Sequence, residues 1–342
     1  MKAMQLSVLS PVGSDAQPLQ RVELQAPIPA AHEVLLKVRA CGVCHTELDE
    51  IEGRTPPEHL PVIPGHQVVA EVVHCGARAS RHQPGDRVGV GWIGGACGTC
   101  QYCAGGFENL CPQFLATGRD INGGYAEFMT IDESMAHPIP AGISDLHAAP
   151  MLCAGAIGYR SLQLTGLENG QALGLTGFGG SAHLVLQMVR HRYPASPVYV
   201  FARNRAEQEF ALELGASWAG GTEDHAPTPM QAIIDTTPAW LPLVAAMEQL
   251  AAGGRLVVNA IRKEDSDKFQ LTSLDYPTHL WLEKEIKSVA NVTRMDIREF
   301  LQLAAAIKIT PEVECYPLEE ANRALVELKH HQVRGSKVLV MD

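Results

Sequence analysis

The 342-residue chain has no apolar run approaching the ~20 residues that cross a bilayer. Its start, Met1-Lys2-Ala3-Met4-Gln5-Leu6-Ser7, has no stretch long enough for the apolar core of a secretory signal. A cytoplasmic protein with no membrane partner is therefore expected. Positive charge is scarce as well: 27 Lys and Arg stand against 38 Asp and Glu, a formal net charge of -11. Nothing builds a basic face to neutralise phosphates, which argues against nucleic acid as a partner. Low-complexity tracts and internal repeats are missing too, so solenoids and disordered arrays drop out. What remains is a chain with 46% hydrophobic residues, enough for about two cores.

Cysteine is concentrated in one place. Four of the nine stand at Cys97, Cys100, Cys103 and Cys111, a C-x2-C-x2-C-x7-C run inside fifteen residues. Thiolates so spaced can converge on one Zn²⁺ in S₄ geometry, and a site whose four positions are all filled by protein is structural. Disulfides or plain buried thiols are the alternative, disfavoured where no signal leads out of a reducing compartment. A closed site leaves no place for substrate, so the chemistry must lie elsewhere.

Two styles of sequence follow one another. The first ~150 residues hold short apolar runs, such as 34–38 and 68–73, broken by Pro and Gly, and predict a β-rich, barrel-like domain. From about 154 the pattern becomes strand, helix, strand, helix: 173–176, 181–190, 198–201 and 205–214. Further candidate strands at 232–235 and 255–259 flank a candidate helix at 241–252, which predicts a doubly wound parallel sheet. Helices near 297–307 and 318–329 and a strand at 337–341 close the chain.

Between the first strand and helix of that alternation lies Gly177-Phe178-Gly179-Gly180-Ser181-Ala182, a G-x-G-x-x-A form of the dinucleotide fingerprint. The first Gly permits the turn, the second lets backbone approach a pyrophosphate, and the helix N-terminus attracts its charge. The next strand runs into Ala202-Arg203-Asn204-Arg205 with no carboxylate before Glu207. Losing the acid that holds a ribose 2′-hydroxyl and gaining Arg nearby points to NADP(H), with NAD(H) the alternative if the arginines are only solvated.

Cys44-His45-Thr46-Glu47, Gly65-His66-Gln67 and Leu152-Cys153-Ala154-Gly155 could supply a second metal site. Cys44, His66 and Cys153 would leave a fourth position open, the Cys₂His catalytic pattern, with Cys41 a rival ligand at C-x2-C spacing from Cys44. Each residue alone also fits an ordinary packing role.

With Cys44-His45-Thr46, Gly65-His66, the four-cysteine loop, Gly124-Tyr125-Ala126-Glu127, Cys153 and the glycine-rich turn in this order, essentially the whole chain resembles the zinc-dependent alcohol dehydrogenases of the medium-chain dehydrogenase/reductase superfamily. The resemblance implies an α/β fold with a GroES-like β-rich domain at 1–153 completed by 291–342, a Rossmann domain at 154–290, and an active site in a cleft between them. It implies two zincs per chain, one on Cys44, His66 and Cys153 for catalysis and one structural, with dimers or tetramers as the assembly. Thr46 resembles the hydroxyl that passes the alcohol proton, and Glu47 the acceptor for the free His66 N–H, if it is not a solvated surface carboxylate. Trp92 resembles a bulky wall of the alcohol pocket, unless it belongs to a core, and with Thr46 would favour small or linear primary alcohols and their aldehydes.

Three positions depart from the family pattern. Gln67 replaces the common Glu and leaves the metal more positive. Asp49 stands where a proton-relaying His is frequent, and Ile157 where a Thr often meets the nicotinamide. A polyol or secondary-alcohol dehydrogenase of the same fold, or a non-catalytic zinc-binding relative, are the other readings. Cys75, Cys315, His59, His74, His82, His183 and the His330-His331 pair have no ligand spacing and are expected to be idle or at the surface.

Overall fold

The computed structural model describes residues 1–330 and 335–341; His331 lies outside them. The chain divides into two compact units, Met1–Ala156 with Asn291–Asp342, and Ile157–Ala290.

The first unit is built on a seven-stranded sheet. Its spine is Glu33–Val43, which pairs antiparallel with Gln67–Cys75, Phe128–Asp132 and Ser336–Val340. Alternation makes it a strand: Val34, Leu36 and Val38 are buried on one face while the residues between them are charged or partly exposed. It is longer than the apolar run at 34–38 because Lys37 and Arg39 occupy outward positions. Val68, Val72, Val88, Val90 and Met129 join the same core.

His137, on a two-residue strand beside Arg87–Val90, is 1% exposed, and neither ring nitrogen has a hydrogen-bond partner among the described residues. Burial, then the arginines Arg298 and Arg294, bring its pKa down to about 3. The unfolded chain takes up that proton near pH 6.5, but the folded chain does not until far lower, so stability falls as pH drops from about 6.5 toward 3. By pH 5 the loss is about 2 kcal/mol. His137→Leu should remove this slope, read as the difference in unfolding free energy between pH 7.5 and 5; equal slopes in both proteins would show that His137 is not held neutral.

The second unit holds a six-stranded sheet, every pairing parallel. In chain order its strands are Leu173–Thr176, Val198–Phe201, Trp218–Gly220, Met230–Asp235, Leu250–Val258 and Glu285–Ser288. In space they run third, second, first, fourth, fifth, sixth, the Rossmann order, with the switch point between Leu173–Thr176 and Met230–Asp235. Phe201, Ile233, Met247 and Leu256 centre its core. The helix expected at 241–252 stops at Glu248, because Leu250 already pairs with Met230. Glu285–Ser288 carries no apolar run and is exposed throughout; partners make it a strand, including the ion pair of Glu285 with Arg255 at 2.7 Å. No helix among the described residues is long and apolar enough to cross a membrane.

Candidate functional site

The short helix His45–Ile51 organises the first site. Cys44 is its N-cap: Sγ accepts from Thr46 N at 3.3 Å, and Glu47 Oε2 accepts from Cys44 N at 2.9 Å, closing a capping box. Glu47, 0% exposed, turns its other oxygen to within 2.5 Å of His66 Nδ1, which leaves Nε2 aimed at Cys44 Sγ, 3.8 Å away. One carboxylate therefore fixes both the helix start and the imidazole ring, and it is no surface group. His66 is held by Gly65, whose φ of +100° and close contact with the Tyr125 ring admit no side chain.

Cys153 arrives from a different element. Pro150 ends the helix Asp145–Pro150 and a π-helical turn, Met151–Gly155, follows, an irregularity that often marks functional sites. The donor atoms of Cys44, His66 and Cys153 all lie within 4.8 Å of one another. A tetrahedral Zn²⁺ with bonds of about 2.0–2.3 Å sets its donors roughly 3.5–3.8 Å apart, so the set fits. The Cys153 thiol, then burial, push the Cys44 thiol well above its ordinary pKa, a conflict that a cation among the three donors would relieve. Thr46 Oγ1 is 3.3 Å from Cys44 Sγ. Cys41 is buried outside this group, its thiol donating to Gly42 O. Gln67 is buried with its amide against Gly42, and Asp49 is bound by Arg54 Nε at 2.5 Å.

Cys97, Cys100, Cys103 and Cys111 form a second group with donor atoms within 4.8 Å. Sγ separations of 3.9 Å between Cys97 and Cys103 and 3.6 Å between Cys100 and Cys103 match a tetrahedral S₄ edge. Backbone N–H groups of Thr99 and Cys100 lower the Cys97 thiol to about 6, while burial and the Cys100 thiol push Cys103 up to about 12. The loop is fastened to its own unit by Glu108, which accepts from the backbone N and Nε of Arg294, both at 2.9 Å.

Residue Glu50 was invisible to motif reading. It is 1% exposed on the same helix as Thr46 and accepts from Trp92 Nε1 at 3.1 Å. Burial, then the Glu47 charge, raise it to about 8. Trp92 itself is half-buried and packs against Phe114.

In the second unit, Gly177 takes φ +76° at the end of Leu173–Thr176, where an added side chain would also meet Thr236. The helix Ala182–Arg192 follows with no side-chain cap, and the space in front of Gly179 is open. These features suit a phosphate. The Phe178 ring is buried against Phe210 at 5.6 Å, so only its backbone belongs to the turn. Ala202 is buried, its N–H and C=O taken by Gly220 and Gln208. Asn204 caps the helix Arg205–Glu213, Arg205 pairs with Glu209, and Arg203 is exposed. Gly180 lies in the turn, and Ser181 Oγ accepts from Asn259. His183, expected at the surface, is buried with Nδ1 3.0 Å from Gly179 O, its ring 6.2 Å from that of Phe210.

Residues 30–141 match the alcohol dehydrogenase GroES-like domain. The chain is 42% identical over 339 residues to "Probable alcohol dehydrogenase AdhA" of Mycobacterium tuberculosis (strain CDC 1551 / Oshkosh), covering 98% of this chain and 96% of that protein. It is 31% identical to an alcohol dehydrogenase of Geobacillus stearothermophilus, with 95% and 97% covered. A solved cinnamyl alcohol dehydrogenase from Sorghum bicolor superposes with a TM-score of 0.84 at 26% identity, covering 99% of this chain and 97% of that one. Fold and relatives together define the class, a medium-chain dehydrogenase/reductase. Within it the chain belongs to the zinc-type alcohol dehydrogenase family, and it is an oxidoreductase acting on the CH–OH group.

Proposed function

We propose that the chain is a zinc-dependent, NADP(H)-linked enzyme interconverting a primary alcohol and its aldehyde. The observation that carries this reading is the convergence of Cys44, His66 and Cys153 beside the Thr46 hydroxyl. Three protein donors leave a position open; zinc there supplies Lewis acidity to an alcohol or carbonyl oxygen. A nicotinamide supplies hydride exchange, and its phosphates would be held by the turn at Gly177, Gly179, Gly180 and Ser181. Thr46 Oγ1 takes the alcohol proton and passes it on. Glu47 fixes the His66 tautomer so that Nε2 carries the lone pair. Gln67, being neutral, leaves positive charge at the centre less compensated than a carboxylate would. Asp49, engaged by Arg54, is a poor candidate for the onward proton path.

A closed Cys97-Cys100-Cys103-Cys111 zinc makes two per chain. The missing acid after Val198–Phe201 and the exposed Arg203 support NADP(H) over NAD(H). All nine cysteines are free, which suits the cytoplasm. The exposed edge strand Glu285–Ser288, with Trp281 and Leu282 both 55% exposed beside it in sequence, supports self-association as a homodimer or homotetramer; a one-chain mass by light scattering would remove that part.

Zinc-replete protein should oxidise NADPH with short-chain and aromatic aldehydes at a kcat/KM at least about tenfold above that with NADH, and Arg203→Asp should erase the preference. Absence of turnover across the panel overturns the enzyme reading as stated. Turnover confined to ketones or polyols overturns the substrate class alone.

A further inference from the structure

We propose that Glu50 is a positioning residue that sets substrate size by locking Trp92 in one orientation beside Thr46. The inference rests on the reading of Trp92 as a wall of the alcohol pocket. Thr46 and Glu50 are four residues apart on the helix His45–Ile51, hence neighbours on one face about 5–6 Å apart. The Trp92 indole N–H donates to Glu50 Oε1 at 3.1 Å, which brings the ring edge to that face.

The rest of the ring is confined as well. The Arg119 guanidinium carbon lies 5.1 Å from its centroid, and Phe114 packs at 5.4 Å, tilted by 48°. Arg119 is itself held by a two-pronged pair with Asp120, both contacts 2.8 Å. Stacking limits tilt, and among the described residues the hydrogen bond to Glu50 is what stops the indole from turning within its stack. Glu50 is 1% exposed and its Oε2 has no hydrogen-bond partner among the described residues. A carboxyl buried this deeply with one oxygen unpaired does little for stability, so a requirement of the site is the better account of it.

The test compares holoenzyme carrying Glu50→Leu, Glu50→Gln, Trp92→Phe or Trp92→Ala with the parent, using acetaldehyde and benzaldehyde and measuring zinc content alongside. Glu50→Leu and Trp92→Phe both remove the hydrogen bond. Each should shift the benzaldehyde-to-acetaldehyde ratio of kcat/KM toward the aromatic by at least about tenfold, carried by KM rather than kcat. Glu50→Gln keeps an acceptor and should stay within about threefold of the parent ratio. A parental ratio in Glu50→Leu overturns the proposal, as does an equal fall in kcat for both aldehydes with loss of zinc. If Glu50→Leu does not fold, a parental ratio in Trp92→Phe overturns it equally. Should Trp92→Ala also leave the ratio untouched, the pocket role of Trp92 is what fails.

Discussion

Replacing Cys44 with serine is expected to lower kcat/KM for an aldehyde and NADPH by on the order of 10³-fold or more, and to take bound zinc from two equivalents to one. Serine is a better N-cap than cysteine, and its hydroxyl can accept from the Thr46 N–H as the thiol does, so the helix His45–Ile51 should persist. What goes is one of the three sulfur and nitrogen donors. Elemental analysis and steady-state kinetics on one preparation check this. Cys41→Ser is the control: that thiol is buried but outside the cluster, so both zinc equivalents should remain. Retained activity in Cys44→Ser would show that the open site is not where the alcohol reacts.

Cys100→Ser should also lose one zinc, but its readout is stability: a melting temperature lower by about 10 °C, as expected for roughly 3–4 kcal/mol in a unit of this size. The loop has little else to hold it. Tyr102, Phe107 and Leu110 are 38%, 52% and 44% exposed, its helix Gln101–Ala104 is a single turn, and its order comes from backbone N–H groups pointing at sulfur. Glu108, bound to Arg294, ties it to a longer helix. Calorimetry on zinc-quantified protein reads the shift, and an unchanged midpoint would mean that the loop is held by packing instead.

The four-cysteine loop was legible because its ligands lie within fifteen residues, so spacing alone brings the thiols together. The glycine-rich turn was legible for a similar reason: strand, turn and helix are consecutive, and Gly177 declares its conformation by being glycine. The parallel sheet followed from alternating periodicities, yet its edge strand Glu285–Ser288 did not, since it is polar and exists through its partner. Cys153 has no ligand spacing to Cys44 or His66, so Cys41 stood beside it as a rival until resemblance to a family favoured Cys153.

Glu50 illustrates the remainder. Its spacing of four from Thr46 could have marked a shared helix face, but nothing in the sequence says that Trp92, 42 residues on, donates to it. His183 and Phe178 likewise changed meaning once a helix face and a core claimed them. The amino-acid sequence by itself determined the fold class, the four-cysteine cluster and the glycine-rich turn, because each is encoded in neighbours along the chain. How closely Cys44, His66 and Cys153 approach one another, how Glu47 seats the His66 ring, and what holds Trp92 are visible only in three dimensions. Burial and hydrogen-bond geometry give those side chains their roles, and both depend on residues distant in sequence.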